Sequence, residues 1–144
     1  MLGRKNYTRD ELDDARNMVD AQLAAYTALV DAVESEAPDG TIETTVSDIE
    51  SVYFNALAIA LDRLFVHRVR AITGTDSTPL NELELIVDSL IDNAGIFHGN
   101  AVLKHKPERS VTGLSEGDRI ALTADQFERL SDAVIAELEK KFLA

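Results

Sequence analysis

The chain has 144 residues, 45% of them hydrophobic, enough for one domain that buries roughly 68–70% of the surface its unfolded form exposes. It has no cysteine, which excludes disulfides, thiolate metal sites and cysteine nucleophiles. The formal net charge of −12 sets it against wholesale binding to nucleic-acid phosphates or anionic membranes.

The charge is uneven. Through Glu50 there are 12 acids to 4 bases, from Ser51 to Ser110 there are 7 to 6, and from Val111 onward 7 to 4. The near-neutral middle holds Arg63, Arg68, Arg70, Lys104, Lys106 and Arg109, which either form a local basic patch or, the expectation here, pair with acids elsewhere in the fold. At the N-terminus, Arg4 and Lys5 run straight into charged residues with no apolar stretch of a signal peptide behind them. With the absence of cysteine, this gives a cytoplasmic expectation.

Thr8-Arg9-Asp10-Glu11 is a capping box, so a helix should begin there. Leu12, Val19, Tyr26 and Val33 fall seven apart, with Ala15, Gln22 or Leu23, and Leu29 or Val30 between them, giving one apolar seam along the segment. A helix from there to Glu36 is about 40 Å long, an overhang that a second copy can cover, although any long antiparallel bundle helix shows the same heptad. Ala37-Pro38-Asp39-Gly40 should stop it, since Pro breaks the ladder and Asp-Gly favours a turn, and Thr41 to Thr45 reads as an extended linker.

Ser47-Asp48-Ile49-Glu50 reads as a second capping box. It leads into Val52–Leu61, apolar all round except for Asn55 and too short for a bilayer, which needs about 20 residues. This predicts a central helix over about 47–73 with Gly74 as its stop. Asn55 needs a partner if buried, and a hydrogen bond that fixes helix register is expected. Thr78-Pro79 opens a short third helix whose buried stripe is Leu83, Ile86, Val87, Leu90 and Ile91, with Glu84, Asp88 and Asp92 as a solvated edge. Ile96–Leu122 has no helical period. Ala101–Leu103 and Arg119–Leu122 are its candidate strands, allowing a short β-hairpin, and an irregular segment of this length is a natural place for a site. Thr123-Ala124-Asp125-Gln126 caps a last amphipathic helix through Phe127, Leu130, Val134, Leu138 and Phe142. The expected fold is therefore all-α: one domain, residues 1–144, of four main helices around the second.

The stretch Leu61–Leu80, with Phe65-Val66-His67-Arg68, and the later Gly117-Asp118-Arg119-Ile120 resemble a family of small helical proteins of actinobacteria. The similarity covers roughly Ser47 to Phe142. No activity is attached to that family, so the resemblance implies a helical fold and a bacterial cytoplasmic setting, and no chemistry.

Two functional classes follow. The long seam, without a catalytic constellation, points to a non-enzymatic homo-oligomeric or partner-binding helical module whose candidate interface is Leu12, Val19, Tyr26 and Val33. The alternative is a metal-independent ribonuclease in which Arg63 holds the phosphate and His67, four residues on, moves a proton. That pair is similar to the arrangement in HEPN-type ribonucleases, although their motif uses a longer spacer than the three residues found here. The bland reading of His67 is a packed or dipole-paired histidine. His98, Asn100, Lys104 and His105 form a candidate binding loop, without the glycine pattern of a phosphate cradle. No metal-ligand spacing joins His67, His98 and His105, so neither metal nor cofactor is expected.

Overall fold

A computed structural model describes residues 6–36, 40–103 and 105–144, with the backbone alone for 40–42. The break at Ala37-Pro38-Asp39, Arg4 and Lys5, and Lys104 of the candidate loop lie outside the described residues. The protein is all-α: α1 (Arg9–Glu36), α2 (Gly40–Leu61), α3 (Pro79–Asp92) and α4 (Ala124–Phe142). Among the described residues no helix is long and apolar enough to cross a membrane.

Three helix starts are capped by side chains. Glu11 N–H donates to the Thr8 hydroxyl at 3.2 Å while the Glu11 carboxylate accepts from Thr8 N–H at 2.8 Å. The same reciprocal box joins Thr78 to Asn81 and Thr123 to Gln126. The expected box at Ser47 is not a cap, and Thr41–Thr45 is not an extended linker, because α2 is already helical from Gly40. Val46, Ile49 and Tyr53 continue its apolar row toward α1, where Tyr53 stacks on Tyr26. Glu50, freed from the expected box, accepts from Ala124 N–H at 2.8 Å and so caps α4.

Helical backbone does run on to Ile72 as expected, but not as α-helix. Asp62–Val66 is a π turn and His67–Ile72 a 3-10 stretch. Such changes of pitch re-aim side chains and leave carbonyls without their usual partner. The Phe65 carbonyl accepts instead from the Tyr7 hydroxyl, and Arg68 stacks over the same ring at 4.8 Å. Tyr7 is itself held by a parallel bridge to Leu143, with Tyr7 N–H to Phe142 O at 2.7 Å and Ala144 N–H to Tyr7 O at 2.9 Å. The N-terminal segment, the C-terminus and the π turn are thereby tied together.

α4 packs on α1, α2 and α3, and α2 touches each of the other three helices. Leu12, Ala15 and Val19 of α1, Phe54, Ala58 and Leu61 of α2, and Phe127, Leu130, Val134 and Leu138 of α4 meet in the core. α3 is enclosed on most sides, from Leu80 to Ser89, though Ile91 of its expected stripe is exposed.

The expected strands are absent among the described residues. The irregular segment is fixed by one isolated antiparallel bridge, Ile96 to Arg119, with Phe97 N–H to Asp118 O and Gly117 N–H to Phe97 O both at 2.8 Å. Side chains replace a ladder for the rest. The Asn55 amide donates to Ile120 O at 3.0 Å and accepts from Leu122 N–H at 3.1 Å, clamping this backbone to α2. Buried Glu82 accepts from Val111 N–H, Thr112 N–H and the hydroxyls of Ser110 and Thr112, at 2.7–3.2 Å.

Candidate functional site

α1 changes role along its length. Its fully buried residues end at Val19, and those of α2 begin only at Phe54. Across 20–36 and 43–53 no described side chain is fully buried, and Leu23, Tyr26 and Tyr53 still pack on the core, so it is the part of α1 after Tyr26 and of α2 before Tyr53 that projects from the body as an antiparallel hairpin. The projecting arm of α1, from Thr27 to Glu36, is about 15 Å long at 1.5 Å per residue. Rings anchor its base. Tyr26 stacks on Tyr53 at 6.0 Å and meets Phe54 edge-on at 4.9 Å, and Phe54 packs on Phe127 at 5.3 Å.

Beyond these rings lies an apolar groove of about 210 Å³, walled by Tyr26, Leu29, Val30 and Val33 on one side and Val46 and Ile49 on the other. Leu29 is 53% exposed, Ile49 47% and neighbouring Val52 72%. Burial, together with the carboxylates of Glu50 and Glu34, raises the Tyr26 phenol above its ordinary 10.0. Two of the four expected interface residues, Tyr26 and Val33, thus line an open surface. The other two do not: Leu12 and Val19 are 0% and 1% exposed, already covered by their own chain because the first half of the seam is the face α1 lays on the body.

A second feature gathers at the π turn. Arg70 donates to Asp62 at 2.9 Å and to Asp88 at 3.3 Å, and lies 3.7 Å from Glu84. The expected solvated edge is therefore partly an ion-pair cluster, with Asp92 alone left exposed. Asp62 is fully buried, and its Oδ1 and the Arg70 Nε lack a hydrogen-bond partner. Burial pushes the Asp62 carboxyl up, against the opposing pull of Arg70. Burial likewise raises Glu84, opposed by Arg70 and helped by Asp88 and Asp62. A cleft opens beside Arg70, Thr73 and Glu84 toward Asn100–Leu103. The one guanidinium among its described lining residues is already engaged by three carboxylates, Asp62, Asp88 and Glu84.

The described residues of the candidate loop, His98, Asn100 and His105, bond within the irregular segment itself. Glu116 accepts from Gly99 N–H at 2.8 Å and contacts His98 Nδ1 at 2.7 Å; these two partners, Gly99 first, hold its carboxyl below the ordinary 4.5. Asn100 accepts from Val102 and Leu103 N–H. His105 bonds the Leu114 carbonyl at 2.7 Å and meets Phe97 edge-on at 4.8 Å. Among the described residues, no group of three His, Asp or Glu could hold a metal ion.

Arg63 and His67 do come together. Arg63 Nη1 lies 3.2 Å from His67 Nδ1, and both side chains are exposed. His67 is thus neither packed in the core nor at the end of an α-helix, because the change to 3-10 backbone begins at that residue.

No family model, curated protein or solved structure matches this chain, and the resemblance to the actinobacterial family rests on the quoted residues alone.

Proposed function

We propose that this chain is a non-enzymatic protein-interaction module whose working surface is the groove of the projecting α1–α2 hairpin. The observation that supports it most is the continuation of one seam past its own core: Leu12, Ala15 and Val19 are buried, whereas Tyr26, Leu29, Val30 and Val33 are left half-covered or exposed. Contiguous apolar surface of this kind mark binding faces, and a groove between two helices accepts a third by ridges-into-grooves packing. The test is photo-crosslinking in cells that make the protein. Leu29→benzoylphenylalanine is expected to give a discrete heavier adduct, and the same label at exposed Asp125 on α4 is not. No adduct at position 29 beyond that seen at 125 would contradict the proposal.

The ribonuclease alternative keeps the Arg63–His67 contact in its favour. Against it, a His67 Nδ1 that accepts an Arg63 N–H is already engaged, and Arg63 Nε lies 3.9 Å from buried Asp62, which competes with a phosphate for the guanidinium. Wild-type protein is expected to leave single-stranded RNA intact without metal. Cleavage that is lost in His67→Ala would establish the alternative.

A further inference from the structure

Resting on that interaction reading, we infer that the groove takes a basic amphipathic helix from another protein, not a second copy of this chain. The sequence has no Lys or Arg between Arg16 and Arg63, so both arms of the hairpin lack cationic side chains. They carry Asp31, Glu34 and Glu36 on α1 and Glu43, Asp48 and Glu50 on α2. At 100° per residue, Glu34 and Glu36 fall on either side of the Tyr26–Val30–Val33 row, and Glu43 falls one turn before Val46. The groove itself is apolar and its rim is acidic.

A self-complementary dimer through this face would set each acidic rim against its own copy, within about one Debye length of 10 Å at 0.1 M salt. A helix with apolar residues at i, i+3, i+4 and i+7 and Lys or Arg on both flanks satisfies groove and rim together, and opposite charge also speeds encounter. The floor from Tyr26 to Val33 spans about 10 Å, two turns of such a helix.

The test uses the full-length chain and three fluorescent helical peptides of about 18 residues, long enough for five turns. One has a leucine stripe flanked by Lys, one the same stripe flanked by Glu, and one the Lys flanks with the stripe changed to Ser. In anisotropy titrations the Lys-flanked leucine peptide is expected to bind at least about tenfold more tightly than either of the others, a difference of about 1.4 kcal/mol. Leu29→Ser/Ile49→Ser should weaken it by roughly tenfold, with the circular dichroism unchanged. Glu34→Gln/Glu36→Gln/Glu43→Gln should erase the preference for Lys over Glu flanks while leaving the α4 cap at Glu50 untouched.

Equal binding of Lys and Glu peptides would overturn the inference. So would Lys-peptide binding that ignores Leu29→Ser/Ile49→Ser, which is diffuse attraction to an acidic protein. A Leu29-dependent dimer in light scattering that excludes the peptide would make the second copy the occupant instead. Each of these leaves the interaction reading standing, and that reading falls separately if the Leu29 photolabel gives no adduct.

Discussion

Asn55 is the one polar side chain in Val52–Leu61, and its two bonds to the Ile120–Leu122 backbone replace the strand pairing that segment lacks. Asn55→Ala leaves a carbonyl and an amide without partners and is expected to lower the unfolding free energy by about 1–3 kcal/mol in urea denaturation. Glu82 gathers four donors from Ser110–Thr112. In Glu82→Gln an amide –NH₂ must face some of them, so a loss of about 2–4 kcal/mol is expected, with faster hydrogen exchange at Val111 and Thr112. Asp62 sets a pH dependence. Because burial raises its carboxyl above the ordinary 3.8, the native state holds that proton more tightly than the unfolded chain does. Its contribution is full below 3.8 and is lost as pH rises through the raised native value. Urea unfolding of wild type and Asp62→Asn should therefore show the wild type's relative stability falling as pH rises through that window; a relative rise would reverse the assignment. The need of Asn55 for a partner was legible from its apolar neighbours. The role of Glu82 was not, because in sequence it is one more acid in a helix's first turn, and only the return of the chain at Ser110–Thr112 supplies its donors.

At the scale of elements, caps were readable where side chain and backbone partner lie three residues apart, as at Thr8, Thr78 and Thr123. Ser47 offered the same local pattern but lies inside α2, which is helical back to Gly40 with the row Val46, Ile49 and Tyr53 turned toward α1. The local signal lost to a tertiary one. The π turn at Asp62–Val66 had no sequence signature either, since its stabilising partners, Tyr7 and Arg70, come from the N-terminus and from the far end of the same helical run. The half-exposed polar pair at its end is expected to matter little to folding. Arg63 and His67 are both exposed, so His67→Ala should change the unfolding free energy by less than about 0.5 kcal/mol, measured by thermal and urea unfolding. A loss of several times that amount would give His67 the packed role that its exposure argues against.

On the scale of the whole molecule, the four-helix body and the hairpin that leaves it follow from one fact: the apolar seam of α1 is longer than the core it serves. Length and heptad spacing made the overhang legible in sequence, but not where the core ends, because nothing local distinguishes Val19 from Val33. The acidic rim and the open groove follow from the same geometry, since among the described residues the part of the hairpin beyond the rings of Tyr26, Tyr53 and Phe54 has no further layer to meet. Comparing two truncations on this seam tests that division most directly. By urea denaturation of the isolated protein, Val19→Ala is expected to cost about 1–3 kcal/mol as a core cavity, and Leu29→Ala less than about 0.5 kcal/mol. Equal losses at the two positions would mean that the far half of α1 is covered in the free protein, and would contradict an open groove.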